Sequence, residues 1–249
     1  MGLHEWMTSG PGYYTGQSLN DFELRTLRDM IAAQYLERVS ALAPALAERA
    51  AALGIQNYHR LGPAIDHETA WPKASRILPA ADVAVVRRMS FFRAVEAEFG
   101  PVVISDDELN WRLVRPGAAG DVGPVHADEW FWDLGYGRLP DGHYRFKVWI
   151  PVFAEPGYNG LCVKPFSHHR TDWRHHTEIR HGIPKPVFDE DAEALDMQLL
   201  SLGPGQLVMF HDRLLHGGVV NRGATCRVSV ELTVFFRVDS GMPCSMTQA

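Results

Sequence analysis

The chain is poor in cysteine, with three among 249 residues: Cys162, Cys226 and Cys244. No two of them stand as C-x-x-C and the number is odd. That argues against a disulfide framework or a cysteine-rich zinc site, and a reducing, cytoplasmic setting fits best. No apolar run approaches 18 residues, so no membrane-spanning helix and no membrane partner are expected. The N-terminus, MGLHEWMTSGPGYYTG, lacks a basic start followed by an apolar stretch, so no secretory signal is read there. Long basic runs are missing too. With 24 Lys and Arg against 30 Asp and Glu, the net charge is −6, and nucleic acid is a poor candidate partner. Internal repeats and low-complexity tracts are absent. What remains is a globular composition, 46% hydrophobic and 22% charged, in a length that suits one domain with a full core.

The chain changes character near residue 100. Before it, helical patterns dominate. Asn20 followed by Glu23 reads as an N-cap with its capping-box partner, and Leu24, Leu27, Ile31 and Tyr35 then recur at helical spacing. The alanine-rich stretch from Ser40 to Leu53 continues helical, with a kink expected at Pro44 and a stop at Gly54. A second helix is expected from about Ala80 to Phe99, closed by Gly100-Pro101. After that, short β-rich segments follow: Val102 to Ile104, Trp111 to Val114, Tyr144 to Phe153, Leu161 to Lys164, Gln206 to Phe210 and Cys226 to Val238. Helices first and strands later is an α+β order. The expected fold is a jelly-roll β-sandwich over 101–240, supported on its outside by the mainly helical 1–100, as one domain spanning 1–249.

Histidine is abundant, at twelve, so spacing has to select among them. His126-Ala127-Asp128 places two ligand-type side chains at i and i+2, which on an extended segment point to the same side. The best third ligand is His216, just past the apolar strand Gln206 to Phe210. His211, five residues earlier, competes for that place. Two histidines and one carboxylate on one face form the facial triad of non-haem Fe(II) oxygenases, with positions left for a chelating 2-oxo acid and O2. An H-x-D pair alone also describes a solvated His and Asp flanking a turn. The chain beyond His216 adds to the metal reading. Arg227 opens the strongest late strand, and alternation puts Arg227, Ser229 and Glu231 on one face and Val228, Val230 and Leu232 on the other. An arginine inside a barrel needs an anionic partner, and its planar fork suits a carboxylate.

From about Leu113 to Phe236 these segments resemble the phytanoyl-CoA dioxygenase family of Fe(II)- and 2-oxoglutarate-dependent oxygenases. The family's H-x-D is matched by His126 and Asp128, and its H-G-S-x-x-N is similar to His216-Gly217-Gly218-Val219-Val220-Asn221. Its arginine for the distal carboxylate of 2-oxoglutarate lies eleven residues past that histidine, where Arg227 stands, followed by Ser229 in an R-x-S pattern. Its V-W-I-x-L strand is similar to Val148-Trp149-Ile150-Pro151-Val152. Its N-G-x-L-x-V-x-P-G-S-H phrase is similar to Asn159-Gly160-Leu161-Cys162-Val163-Lys164-Pro165-Phe166-Ser167-His168, with Phe166 in place of a glycine and one residue fewer. The resemblance implies a double-stranded β-helix of cupin type, Fe(II) on His126, Asp128 and His216, and O2 as cosubstrate. It further implies 2-oxoglutarate held by Arg227 and Ser229 beside Trp149. Alternation puts Lys147 on the same side as Trp149, towards the cosubstrate or an acidic substrate.

The implied chemistry is hydroxylation, or another oxidation, of an unactivated carbon, with release of succinate and CO2. The related halogenases carry a small residue where this chain has Asp128, so halogenation is not implied. The substrate reads as a small metabolite, anionic or zwitterionic. Trp130 and Trp132, next to the H-x-D, and Lys164 are the candidates for contacting it, although aromatic residues there also serve as ordinary core. The histidine-rich stretch His168 to His181 matches no common metal spacing and reads as a polar loop over the pocket mouth. Two rival readings use the same residues: a zinc hydrolase with a metal-bound water, and a jelly-roll binding module without turnover.

Overall fold

The spacing of Asn20 and Glu23 sets the start of the first long helix. In the computed structural model, which describes residues 2–104, 109–180 and 182–237, the Asn20 side chain accepts the amides of Phe22 and Glu23. Glu23 in turn accepts the Asn20 amide at 2.9 Å, completing the capping box. The chain runs through α1 (Leu3–Thr8) and β1 (Tyr13–Ser18) into α2 (Asp21–Leu42). Leu27, Ile31, Tyr35 and Val39 form the buried stripe of α2, spaced by four residues. Pro44 breaks the helix as expected, and α3 (Ala47–Leu53) ends on Gly54. A short α4 (His67–Ala70) follows.

The single helix expected over Ala80 to Phe99 is two, α5 (Ala80–Val86) and α6 (Ser90–Phe99). Met89 is extended at φ −64°, ψ 150°, and the Ser90 amide donates to Glu23 rather than to a carbonyl four residues back. A long-range carboxylate thus replaces the local helical bond, which no propensity of residues 87–89 announces.

All six expected strands are present, within a residue or two: β2 (Val102–Ile104), β3 (Asn110–Val114), β4 (His143–Phe153), β5 (Leu161–Val163), β9 (Gln206–His211) and β11 (Arg227–Arg237). Elements without a counterpart in the sequence expectations are α7 (Glu129–Asp133), β6 (His175–Arg180), β7 (Ile183–Phe188), β8 (Gln198–Leu200) and β10 (His216–Gly218), together with α1, α4 and β1. His181, Val238 and Cys244, named in the sequence analysis, lie outside the described residues. Within the stretch read as a polar loop, His175 to Arg180 is instead strand β6, paired with β7 in a regular hairpin, while residues 170–174 are irregular. The hairpin's largely exposed residues and Pro184 and Pro186 carry little strand signal, and prolines are tolerated here because the pair bonds no third strand among the described residues.

The described strands form a six-stranded antiparallel sheet, ordered β1-β9-β4-β11 with β2 and β3 sharing the outer edge of β11, and a three-stranded sheet β10-β5-β8. The larger sheet has two different faces. Phe146, Val148, Ile150 and Val152 of β4 and Val228, Val230, Leu232, Val234 and Phe236 of β11 pack with the buried residues of α2 and α6. The opposite parity carries Lys147 and Trp149 on β4 and Arg227, Ser229, Glu231 and Thr233 on β11, with Trp149 opposite Glu231 and Lys147 opposite Thr233. Trp149 and Val208 on this face pack with Leu161 and Val163 of the smaller sheet. The alternation read from the sequence therefore separates an apolar, helix-covered face from an interior lined with charge. Among the described residues, no helix is long and apolar enough to cross a membrane.

Glu23 also ties the helical layer together, because its carboxylate accepts both the amide and, at 2.9 Å, the hydroxyl of Ser90 at the start of α6. Replacing Glu23 with Ala should destabilise the protein by about 2–3 kcal/mol, leaving the Ser90 amide without its charged acceptor. Asn20→Ala, which removes only the cap, should cost about 1 kcal/mol. Urea unfolding measures both; equal losses would show that the link to α6 contributes nothing.

Candidate metal centre

His126 and His216 are ninety residues apart in sequence and adjacent in space. Each donates its amide to the other's carbonyl at 2.9 Å, an isolated antiparallel bridge. Gly217 makes the approach possible: a Cβ there would lie 3.2 Å from the Val125 nitrogen and 3.3 Å from the Pro124 carbonyl carbon. The two rings end up 4.3 Å apart between centroids. Asp128 is not extended as the i, i+2 argument assumed; at φ −64°, ψ −32° it turns into α7. Its carboxylate still faces both rings, with Oδ1 3.9 Å from His126 Nε2 and Oδ2 3.6 Å from His216 Nε2. One ligand atom from each of the three residues lies within 4.8 Å of the others.

The donor chemistry fits a divalent metal. The Nδ1 of His126 lies 2.8 Å from the Pro124 carbonyl and that of His216 2.9 Å from the Leu214 carbonyl. An Nδ1–H donated to each carbonyl leaves both Nε2 atoms as lone-pair donors towards Asp128, the arrangement in which metal-binding imidazoles are held. Burial pushes the His126 ring down to about 4, with help from His216, so it is neutral at neutral pH. Burial alone would raise the Asp128 carboxyl, but Lys147, His216 and His126 together hold it below the usual carboxylate range. Asp128 Oδ2 is buried and has no hydrogen-bond partner among the described residues. Two imidazoles held through Nδ1 and one ionised carboxylate on one side are the donor set of a facial triad. His211 is outside this group: its Nδ1 accepts the Arg213 amide at 3.0 Å and its ring lies near His168.

The residues expected around 2-oxoglutarate divide between two ends of the interior. Arg227 is 2% exposed, and its guanidinium donates to the Gly160 carbonyl at 2.7 Å. Its Nε and the neighbouring Ser229 Oγ are buried without hydrogen-bond partners among the described residues. Burial and then Arg112 push its pKa down to about 10, against the opposing effect of Glu231, which leaves it charged at neutral pH. The Trp149 ring lies beside it, 5.7 Å from Cζ to centroid. Lys147 sits at the metal end instead, with Nζ 4.0 Å from Asp128 Oδ1 and donating to Thr233 Oγ1 at 3.1 Å.

The three substrate candidates are placed differently from one another. Trp130 is 5% exposed and lies parallel to His175 at 4.2 Å and to Phe188, a cross-strand pair of the β6–β7 hairpin, so it anchors that hairpin. Trp132 is half-buried beneath the Arg145 guanidinium, 4.5 Å away, with its ring edge against Phe235. Lys164 lies just past β5 with the parity of Cys162, opposite to the inward Leu161 and Val163. It is half-buried, and its amide, not its side chain, donates to the Leu215 carbonyl.

Several supporting residues escaped the sequence reading. Ser167 Oγ accepts the Leu215 amide at 2.8 Å, and the Lys164 amide donates to the Leu215 carbonyl at 2.8 Å, so the P-x-S-H phrase braces the residue before His216. Phe166, standing where the family phrase has glycine, holds a left-handed φ of 64°, a conformation costing a non-glycine residue about 1–2 kcal/mol. Asn159 and Asn221, read as parts of separate phrases, bond to each other at 2.9 Å.

Removing a ligand should cost more than the roughly 10–100-fold that losing a supporting hydrogen bond costs in metal affinity. His216→Ala and Asp128→Ala should therefore bind Mn(II) more than a hundredfold more weakly by calorimetry, by that comparison. His211→Ala should bind it much as the parent does. The reverse pattern would reassign the third ligand to His211.

No protein-family profile matches the chain, and no curated protein is significantly similar to it in sequence. Solved structures are similar in shape. The non-heme monooxygenase ThoJ, in its apo form, aligns with a TM-score of 0.57 at 17% identity, over 94% of this chain and 76% of its own. AviO1 from Streptomyces viridochromogenes Tue57 aligns with a TM-score of 0.54 at 17% identity, over 97% and 95% of the two chains. SnoK, described as a non-heme alpha ketoglutarate dependent carbocyclase from nogalamycin biosynthesis, gives 0.53 at 14% identity over 96% and 86%. At such identities the likeness is one of fold alone.

Proposed function

We propose that the chain is an Fe(II)- and 2-oxoglutarate-dependent dioxygenase acting on an unactivated carbon of a small metabolite, with the metal on His126, Asp128 and His216. Arg227 is the observation that carries the 2-oxoglutarate half of this reading. The other interior charges have counterparts: Lys147 faces Asp128, and Arg145 pairs with Asp212 at 2.7 Å. Among the described residues, buried Arg227 has a backbone carbonyl as its one hydrogen-bond acceptor and an orphaned Nε. A guanidinium so placed costs several kcal/mol unless an anion joins it. A dicarboxylate reaching from the triad into the interior supplies that anion, and the orphaned Ser229 hydroxyl supplies a second donor.

When bound, Fe(II) and 2-oxoglutarate supply the oxidising chemistry, O2 being consumed and 2-oxoglutarate leaving as succinate and CO2. The residues of this chain hold the parts in place. Arg227 grips the far carboxylate, with Trp149 as the adjacent wall. Lys147 keeps Asp128 ionised and therefore a ligand. Leu161, Val163, Val208, Phe210 and Leu214 exclude water from the interior. Facing antiparallel sheets with the site between them support a double-stranded β-helix, and the phrases around His126, His216 and Arg227 support the phytanoyl-CoA dioxygenase-like family. The description of SnoK as alpha ketoglutarate dependent and the existence of a ThoJ–Ni complex, at a TM-score of 0.53, are consistent with the cofactors proposed. In this reading residues 1–249 are one oxygenase domain, and free Cys162 and Cys226 suit a cytoplasmic setting.

Arg227→Ala removes a buried charge-assisted contact worth roughly 2–5 kcal/mol. At about 1.4 kcal/mol per factor of ten, 2-oxoglutarate affinity should fall at least about thirtyfold. Metal affinity should hold, and Arg227→Lys should recover part of the loss, because a point charge replaces the fork incompletely. Anaerobic calorimetry with Mn(II) measures both. Unchanged 2-oxoglutarate binding in folded Arg227→Ala would remove the cosubstrate assignment and favour the zinc-hydrolase reading.

A further inference from the structure

Arg145 lies on β4 two residues before Lys147, with its side chain 12% exposed. Its guanidinium makes two contacts that lead to different metal ligands. On one side it meets Asp212 Oδ2 at 2.7 Å. Asp212 sits in the turn after β9, four residues before His216, and its Oδ1 is 3.0 Å from His211 Nδ1. On the other side the guanidinium covers the Trp132 ring at 4.5 Å, and Trp132 belongs to α7, the helix that Asp128 begins. A third link closes the loop, since the Glu129 amide, next to Asp128, donates to the Asp212 carbonyl at 3.1 Å.

The segments carrying Asp128 and His216 are weakly held by regular structure. Helix α7 has five residues and β10 has three. Elements this short do not fix a side chain to the few tenths of an ångström that metal coordination requires, so tertiary contacts have to. β4 is an eleven-residue strand in the centre of the large sheet, and Arg145 joins both segments to it. A charged pair excluded from water in this way holds geometry more than it adds net stability.

We infer that Arg145 and Asp212 are a positioning pair that sets the separation of Asp128 from His216 without touching the metal. This rests on the proposed metal site and adds to it the device that shapes it. The test uses the full chain. Mn(II) affinity by calorimetry, the visible absorption of bound Co(II) and the urea midpoint are compared for the parent, Arg145→Met, Asp212→Asn, the double variant and Arg145→Lys, with His216→Ala as a ligand control. Arg145→Met and Asp212→Asn should each weaken Mn(II) binding by about 10–100-fold and alter the Co(II) spectrum. The double variant should be no weaker than the worse single one, because the two residues act as a unit. Arg145→Lys, which keeps the charge but loses the planar cover on Trp132, should fall between parent and Arg145→Met; it decides the matter if the methionine variant does not fold.

A lowered midpoint with parental Mn(II) affinity and Co(II) spectrum would mean that the pair is merely structural, and would overturn the inference alone, provided His216→Ala abolishes binding. A parent that binds neither metal would overturn the metal site and the inference together.

Discussion

A reciprocal pair of backbone hydrogen bonds between His126 and His216 is the contact on which the rest of the site depends. It is the point where a loop before α7 and the start of β10 become neighbours, and it places two imidazoles side by side without any side chain having to search. The surroundings are arranged to keep it. Gly217 removes the Cβ that would press on Val125, and Ser167 and Lys164 bind Leu215 from the other direction. The carbonyls of Pro124 and Leu214 fix both ring orientations. Loss of the bridge would leave Asp128 facing an open gap.

The large sheet divides its labour by parity. One face of β4 and β11 is wholly apolar and lies under α2 and α6; the other carries Lys147, Arg227 and Glu231. Each large apolar side chain buried on the first face contributes about 1.5–3 kcal/mol. That contribution lets the same strands hold charges on the second face, where burial raises the energy of every ionised group. Glu231 shows the balance: burial alone would raise its pKa, yet Arg112 and Lys147 hold it below the carboxylate range. The interior is thus polar by pairing rather than by access to water, and Arg227 stands out because its counterpart among the described residues is only a carbonyl.

Much of this was legible in the sequence, for identifiable reasons. The six expected β-rich segments alternate or are punctuated by Gly, Pro and Asn, and period-two patterning survives the tertiary context because the two faces of the sheet are buried differently. The capping box of α2 is local and self-contained, so it was readable. The break between α5 and α6 was not, because its cause is Glu23, sixty-seven residues away. The β6–β7 hairpin was hidden by its exposure: nothing buries either face evenly, so no alternation exists to detect. At the site, side chains could be chosen by motif interval, but the conformation of Asp128 could not, since a helix of five residues leaves almost no periodic trace.

The positions that motif reading names are also not all of one kind once their contacts are known. In the phrase from Asn159 to His168, Asn159 bonds to Asn221, Gly160 offers its carbonyl to Arg227, and Ser167 holds Leu215. None of the three is a metal ligand; each joins the smaller sheet to a segment bearing Arg227 or His216. Such a phrase is recognisable because several long-range hydrogen bonds must be satisfied at fixed intervals along one loop, a stricter demand than packing makes. The strained backbone of Phe166 fits this account. The turn has to place Ser167 whatever residue precedes it, so the chain tolerates a left-handed phenylalanine with an exposed side chain rather than shift the serine.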